Sequence, residues 1–297
     1  MTTHRTALAA AHVAALLFGL TGIFGALIRS GPAVITFGRA GFAILALAAF
    51  AALQRRSLWR DMDLLRLGTL AGTGVLLTLH WVTFFVAVKI GGVAVATLGF
   101  ASFPAFIAVL DMLVFRERIS AAEGLLLVLV TVGLVLVTPS FDLADQGTVG
   151  LIWGLASGLF FAMLAMANRR ATRGVGAMQV AFWQNLTVAL LLLPFAAGQL
   201  HGPEGPDTRD WLNLALLGVF CTGLSHYLFV KSLDRLSARS AGMIIALEPV
   251  YAIVAAWWLF HEQPSLRMLA GAALIVLAIV ISARAPREDP QDTHAAR

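Results

Sequence analysis

Along the chain, apolar runs of roughly 20 residues alternate with short polar turns. The runs fall at about 7–28, 32–53, 64–88, 92–115, 120–138, 148–168, 177–197, 210–231, 237–260 and 266–283. A helix of that length crosses the ~30 Å hydrocarbon layer of a bilayer. The pattern therefore predicts an all-α integral membrane protein with ten transmembrane helices. Connectors such as "RSGP" (29–32) and "KIGG" (89–92) are only a few residues long, and the longest, "GQLHGPEGPDTRD" (198–210), is too short to fold alone. Chemistry is thus expected at membrane depth or at its rim. The start, "MTTHRTALAAAHVAALLFGLTGIFGALI", has a basic lead, but its apolar run exceeds a signal-peptide core, so a retained first helix is expected.

Two of the runs share a spelling. "FPAFIAVLDMLVFRE" (103–117) and "EPVYAIVAAWWLFHE" (248–262) keep the proline, a valine, a phenylalanine and the closing glutamate at equal spacing. They lie five runs apart. An odd offset makes the two copies antiparallel in the membrane, so the halves would be inverted repeats, the construction of many secondary transporters. The expected division is 1–140 for the first repeat, 141–147 for a connector, 148–285 for the second repeat and 286–297 for a disordered tail.

Composition strengthens the membrane reading. The chain is 59% hydrophobic and 12% charged, against about a quarter charged in soluble domains. The net charge of +5 does not indicate nucleic acid, because the basic residues sit in turns between apolar runs. With the N-terminus placed in the cytoplasm, sixteen Lys and Arg fall on that side and five on the other. This bias places both termini in the cytoplasm and the protein in the inner membrane. Cys221 is the single cysteine, which excludes a disulfide framework and a thiolate metal cluster. No cofactor is expected. The expected partners are the bilayer, a small-molecule substrate and, for coupling, protons.

"FGRAGFAILAL" in the second run, with the two proline stretches, resembles the EamA-type members of the drug/metabolite transporter superfamily, over roughly residues 7–283. Within it, "LTLHWVTFFVAVK" (77–89) is similar to exporters of aromatic amino acids and related solutes, the YddG type. The resemblance implies a central cavity walled by spans one to four and six to nine, with spans five and ten packed outside. It also implies export. One departure stands out: Glu248 precedes its proline, whereas Phe103 holds the matching place.

Several polar residues within the runs are candidates for the site. Glu248 lies near mid-membrane, where an ionised carboxylate costs several kcal/mol unless paired or solvated. It reads either as a substrate-amine or proton site or as an acid bonded to a neighbouring helix. Arg39, about 10 Å inside its helix, reads either as a snorkelling cation or as an anchor for a carboxylate. His80, Trp81 and Thr78 form the polar part of span three, and His80 suits either a substrate contact or a bond to backbone. Trp183 and Gln184 of "QVAFWQNLTVA", together with Tyr251, read as substrate contacts or as helix packing. Pro104 and Pro249 each remove a backbone donor and free a carbonyl one turn earlier, which makes them gating hinges or static kinks. "GLTGIFG" and "GLASG" suit close helix packing.

The best-supported function is secondary transport by alternating access, with aromatic amino acids as the preferred substrates. A drug or nucleotide-sugar carrier on the same fold is the alternative. No phosphate-cradling loop is present, so direct drive by ATP is not expected. An intramembrane enzyme fits worst, since no zinc motif or nucleophile pattern is spelled out.

Overall fold

A computed structural model describes residues 4–116, 121–138, 140, 142–200, 205–232, 235–236, 241, 244–245 and 247–284. The proposed disordered tail (286–297) and Glu117 of the first proline stretch lie outside the described residues. Among those described, every regular element is helical. In chain order they are α1 (His4–Leu27), α2 (Pro32–Leu53), α3 (Leu64–Phe100), α4 (Phe103–Phe115), α5 (Ala121–Val137), α6 (Gln146–Ala171), α7 (Ala177–Leu200) and α8 (Thr208–Gly218). A π-helical segment (Val219–Leu224) follows, then α9 (Ser225–Ser232), α10 (Glu248–Phe260) and α11 (Leu266–Arg284). Among the described residues, six helical stretches are long and apolar enough to span a bilayer, and four shorter apolar helices accompany them. Outward faces are greasy, as a lipid environment requires: Phe195 is 65% and Trp258 77% exposed.

The 37 residues of α3 do not form one rod. Gly92 sits at φ 81°, ψ 170°, in a left-handed region that costs glycine little, and the chain turns back there. Contacts with α6 trace the reversal. His80, before the turn, meets Ser157. Gly91, at the turn, lies against Gly150, while Gly99, after it, lies against Gly154. Gly158 then abuts Phe100 and Ser102. Because Gly150, Gly154 and Gly158 recur every four residues, they share one face of α6, and the backbones touch along it.

Pro104 and Pro249 occupy the first turns of α4 and α10. There the missing N–H would have had no intrahelical acceptor in any case. They start new helices after a break; they do not bend continuous ones, which refines the hinge expectation. Both helices run for 13 residues, and both end on a left-handed residue, Arg116 at φ 55° and His261 at φ 56°. The shared spelling thus produces a shared backbone.

Helix packing is correspondingly balanced between the halves. Helix α1 packs on α10 as α6 packs on α4, α2 packs on α8 as α7 packs on α3, and α2–α7 and α5–α11 form pairs. The main core sits among α1, α2, α3 and α8, around Ile28, Ile35, Phe85, Leu214 and Leu217.

Candidate functional site

The site begins where α8 meets α2. Gly218 lets the two backbones touch: a Cβ there would lie 2.6 Å from the Arg39 carbonyl oxygen and 2.6 Å from the Phe42 Cβ. The helix widens immediately afterwards into the π segment, a feature often found at functional sites. Within it the Thr222 hydroxyl donates to the Leu217 carbonyl at 3.1 Å, a five-residue step. The same oxygen accepts from Arg39 Nε at 2.7 Å.

Arg39 is 4% exposed and does not snorkel. Its guanidinium carbon lies 3.9 Å from the centroid of the Trp81 ring and 5.9 Å from that of Phe85. These aromatic faces help offset the cost of burying the cation. Among the described residues only Nε has a hydrogen-bond acceptor, which leaves the Nη donors of the fork uncommitted.

Other ionisable groups lie within electrostatic range of this guanidinium. Arg39 interacts electrostatically with Glu248, His80, His226 and Cys221. Glu248 opens α10 and is half-buried. No ion pair joins it to Arg39 among the described residues. The α10 backbone is brought in by Gly19 of α1, where a Cβ would lie 2.9 Å from the Glu248 carbonyl oxygen and 3.0 Å from the Tyr251 Cβ. The Tyr251 hydroxyl is 3.4 Å from His12 Nδ1. His226 Nδ1 meets the Thr222 carbonyl at 3.2 Å, and its ring stands edge-on to Phe18 at 5.5 Å. Arg39, Trp81, Glu248 and Tyr251, all expected from the sequence, therefore share one polar layer with Thr222, His226 and His12.

The remaining candidates are placed otherwise. His80 turns toward α6, with Nδ1 at 2.8 Å from the Ser157 hydroxyl, and its ring lies 5.0 Å from Phe100 and 5.1 Å from Phe161. The Thr78 hydroxyl donates to the Gly74 carbonyl. Trp183 is not in the layer: its Nε1 donates to the Leu58 carbonyl at 3.1 Å, and its ring stands edge-on to Trp59. Gln184 uses both amide hydrogens to tie α7 to Thr73 and Asn168, at 2.8 and 2.9 Å. Adjacent residues on α7 thus serve two different neighbours, neither of them the Arg39 layer. Sequence reasoning missed Thr222 and Ser157, because a membrane Ser or Thr normally bonds its own helix and gives no outward signal.

One end of the bundle is crossed by polar links. Arg29, after α1, pairs with Asp207 at 2.7 Å, and its backbone N–H donates to Asp210 Oδ1 at 3.0 Å. Lys89 Nζ donates to the Ile28 carbonyl. Asp207 also caps α8 by accepting from the Asp210 N–H at 2.8 Å. That bond first, and the Arg29 charge with it, hold the Asp207 carboxyl below the usual carboxylate range. At the same end Glu262, just past α10, accepts from the backbone N–H groups of Val93 and Ala94 at 3.3 and 3.4 Å. A carboxylate there suits the positive N-terminus of the leg that starts after Gly92.

Comparison with known proteins agrees with this architecture. An uncharacterized transporter of Archaeoglobus fulgidus is 27% identical over 277 residues, covering 93% of this chain and 96% of the relative. The pseudopaline exporter CntI of Pseudomonas aeruginosa is 27% identical over 215 residues, covering 71% and 73%. An S-adenosylmethionine uptake transporter of Rickettsia conorii is 25% identical over 205 residues, covering 68% and 67%. A solved crystal structure superposes with a TM-score of 0.65 at 20% identity, covering 94% of this chain and 97% of the other, which shows the shared fold. The profile of the EamA-like transporters matches twice, over residues 5–138 and 148–284. The chain therefore belongs to the EamA-like transporter family, within the drug/metabolite transporter superfamily, and is a multi-pass membrane protein.

Proposed function

We propose that the protein is a secondary transporter that exports amino acids, aromatic ones preferred, and related metabolites across the inner membrane by alternating access. The observation that carries this reading is the buried Arg39, whose Nη donors have no acceptor among the described residues and which lies within electrostatic range of Glu248 without an ion pair to it. A zwitterion supplies a partner for each. Its carboxylate matches the guanidinium fork and its ammonium matches the carboxylate. Trp81, Tyr251 and Phe18 provide the aromatic surroundings for a ring.

The ten-span topology, with both termini cytoplasmic and two inverted repeats at 1–140 and 148–285, belongs to the same proposal. It is supported by the basic-residue bias, by the doubled family match and by the balanced packing of the halves. In this frame the end closed by Arg29, Asp207 and Glu262 faces outward, and the polar layer opens inward. Pro104 and Pro249 mark the breaks about which α4 and α10 move. One relative is an exporter and another an uptake transporter, so the direction rests on the resemblance to aromatic amino-acid exporters.

Flux of labelled phenylalanine and tryptophan into proteoliposomes tests the reading, run with and without a pH gradient and against protein-free vesicles. Saturable flux that unlabelled amino acid competes away is expected. A gradient dependence identifies protons as the coupling ion. Background-level flux from folded protein rejects the substrate class and moves a drug or nucleotide-sugar carrier to the front.

A further inference from the structure

A cavity opens beside the Arg39 layer and shares His226 with it. It has a volume of about 660 Å³ and is walled by the C-terminal half of α2, the start of α7, the π segment and α9, within the range of small-ligand sites. Its lining runs from Lys231 of α9 back through the π segment to Val219, twelve residue steps, or about 18 Å of helix. The wall is mostly apolar and carries the Phe50 and Tyr227 rings, packed edge to face at 5.0 Å. Among the described residues, Arg56 and Lys231 are its Lys/Arg side chains and no acidic residue lines it.

The polar groups of the wall are largely committed within the protein. Gln179 Nε2 donates to the Arg60 carbonyl at 2.9 Å. The Ser57 hydroxyl oxygen accepts from the Trp59 and Arg60 amides. His226 is engaged with the Thr222 carbonyl. What remains is a long apolar slot with cations at one end and few directional groups inside. A soluble polar solute finds little there to bond. An acyl chain under an acidic headgroup finds both features it needs, at the end of the bundle where the basic residues gather.

We propose that this slot binds an anionic membrane phospholipid, its acyl chain along α2 and α9 and its phosphate on Arg56 and Lys231. The deep end of the slot is formed by Val219 and Gly223 of the π segment. This segment also carries Thr222, the partner of Arg39. The lipid thus shares one wall, at His226, with the polar layer.

Lipid retention by the purified full-length chain, read by native mass spectrometry, tests the proposal independently of any flux. Phosphatidylglycerol and phosphatidylcholine with identical acyl chains are titrated against wild type, the Arg56→Gln/Lys231→Gln double variant and Gly223→Leu. Wild type is expected to favour phosphatidylglycerol, with about a fivefold loss for each charge removed. A Cβ at 223 meets only ordinary contacts at 3.7 Å, so Gly223→Leu should fold, fill the slot and lower retention of both lipids. Equal retention of the two lipids by wild type overturns the proposal, as does an unchanged preference in the double variant. Displacement by dodecanoate but not by phosphatidylglycerol makes the ligand a soluble amphipathic anion and also overturns it.

Discussion

Two glycine-to-alanine changes should have opposite effects, because one meets backbone and the other meets nothing. At Gly150 an added Cβ would lie 2.4 Å from the Gly91 Cα and 2.7 Å from the Gly91 nitrogen. Ordinary contact begins near 3.4 Å, so the helices must separate by about 1 Å, and no side chain on the opposing surface can rotate aside. Overpacking of this kind costs roughly 1–3 kcal/mol. At Gly72 nothing lies within 4 Å, and the substitution gains up to about 1 kcal/mol of helix propensity. Both variants make the same chemical change on a helix, so subtracting one from the other isolates the collision between α3 and α6. Reversible unfolding in mixed detergent micelles should place Gly150→Ala about 1–3 kcal/mol below Gly72→Ala. A difference under about 0.5 kcal/mol, within the usual scatter for surface substitutions, would mean that the α3–α6 seam is not packed backbone to backbone.

The polar layer and the closed end give three further expectations. Arg39→Lys keeps the charge but loses the Nε bond to Thr222, so substrate flux should fall roughly tenfold or more. Thr222→Val should do the same, and the double variant should lose no more than either alone if the pair acts as a unit. Glu248→Gln should abolish discrimination between tryptophan and an analogue that lacks the ammonium group, as read by competition; unchanged selectivity removes Glu248 from substrate recognition. Labelling of Ser30→Cys in a Cys221→Ser background reports the latch, and Arg29→Gln should raise it. Since the Asp207 carboxyl is held below the ordinary range, the latch is charged above that range and lost only as pH falls through the lowered value. Wild-type labelling, divided by that of a freely exposed thiol at each pH, should therefore be flat from about pH 5 to 8; a rise of this ratio on acidification across that window would refute the assignment.

The apolar runs made the helical elements legible, and the two proline stretches foretold a pair of matching helices with matching ends. The reversal at Gly92 was legible as the connector "KIGG", since a glycine pair between two apolar runs permits a turn that other residues resist. The π segment was not legible: "VFCTGL" has the composition of any membrane helix, and the wide turn arises where Gly218 presses α8 onto α2. Arg39 illustrates the same limit. Its depth followed from counting residues, but the choice between lipid surface and interior was made by Trp81 on another helix. Trp183 and Gln184 looked like a substrate cluster because they are neighbours in sequence, whereas a helix sends neighbours to different partners. Glu262 was visible only as the last letter of a repeat. Its contact with the amides after Gly92 comes from α10 meeting α3 in space.

The π segment also fixes the facing of everything after it. It accommodates one residue more than an α-helical turn would, and each residue of an α-helix advances the side chains by about 100°. Deleting one residue between 219 and 224 would let the stretch close into ordinary helix. Because the wide turn absorbs that residue, His226, Tyr227 and Lys231 would keep nearly the same facing; tightening the turn with all its residues retained would instead carry them about a quarter-turn away from Phe18 and from Phe50. The segment thus cancels the angular offset of one extra residue, and its width keeps the end of this helix on the wall of the bundle it decorates.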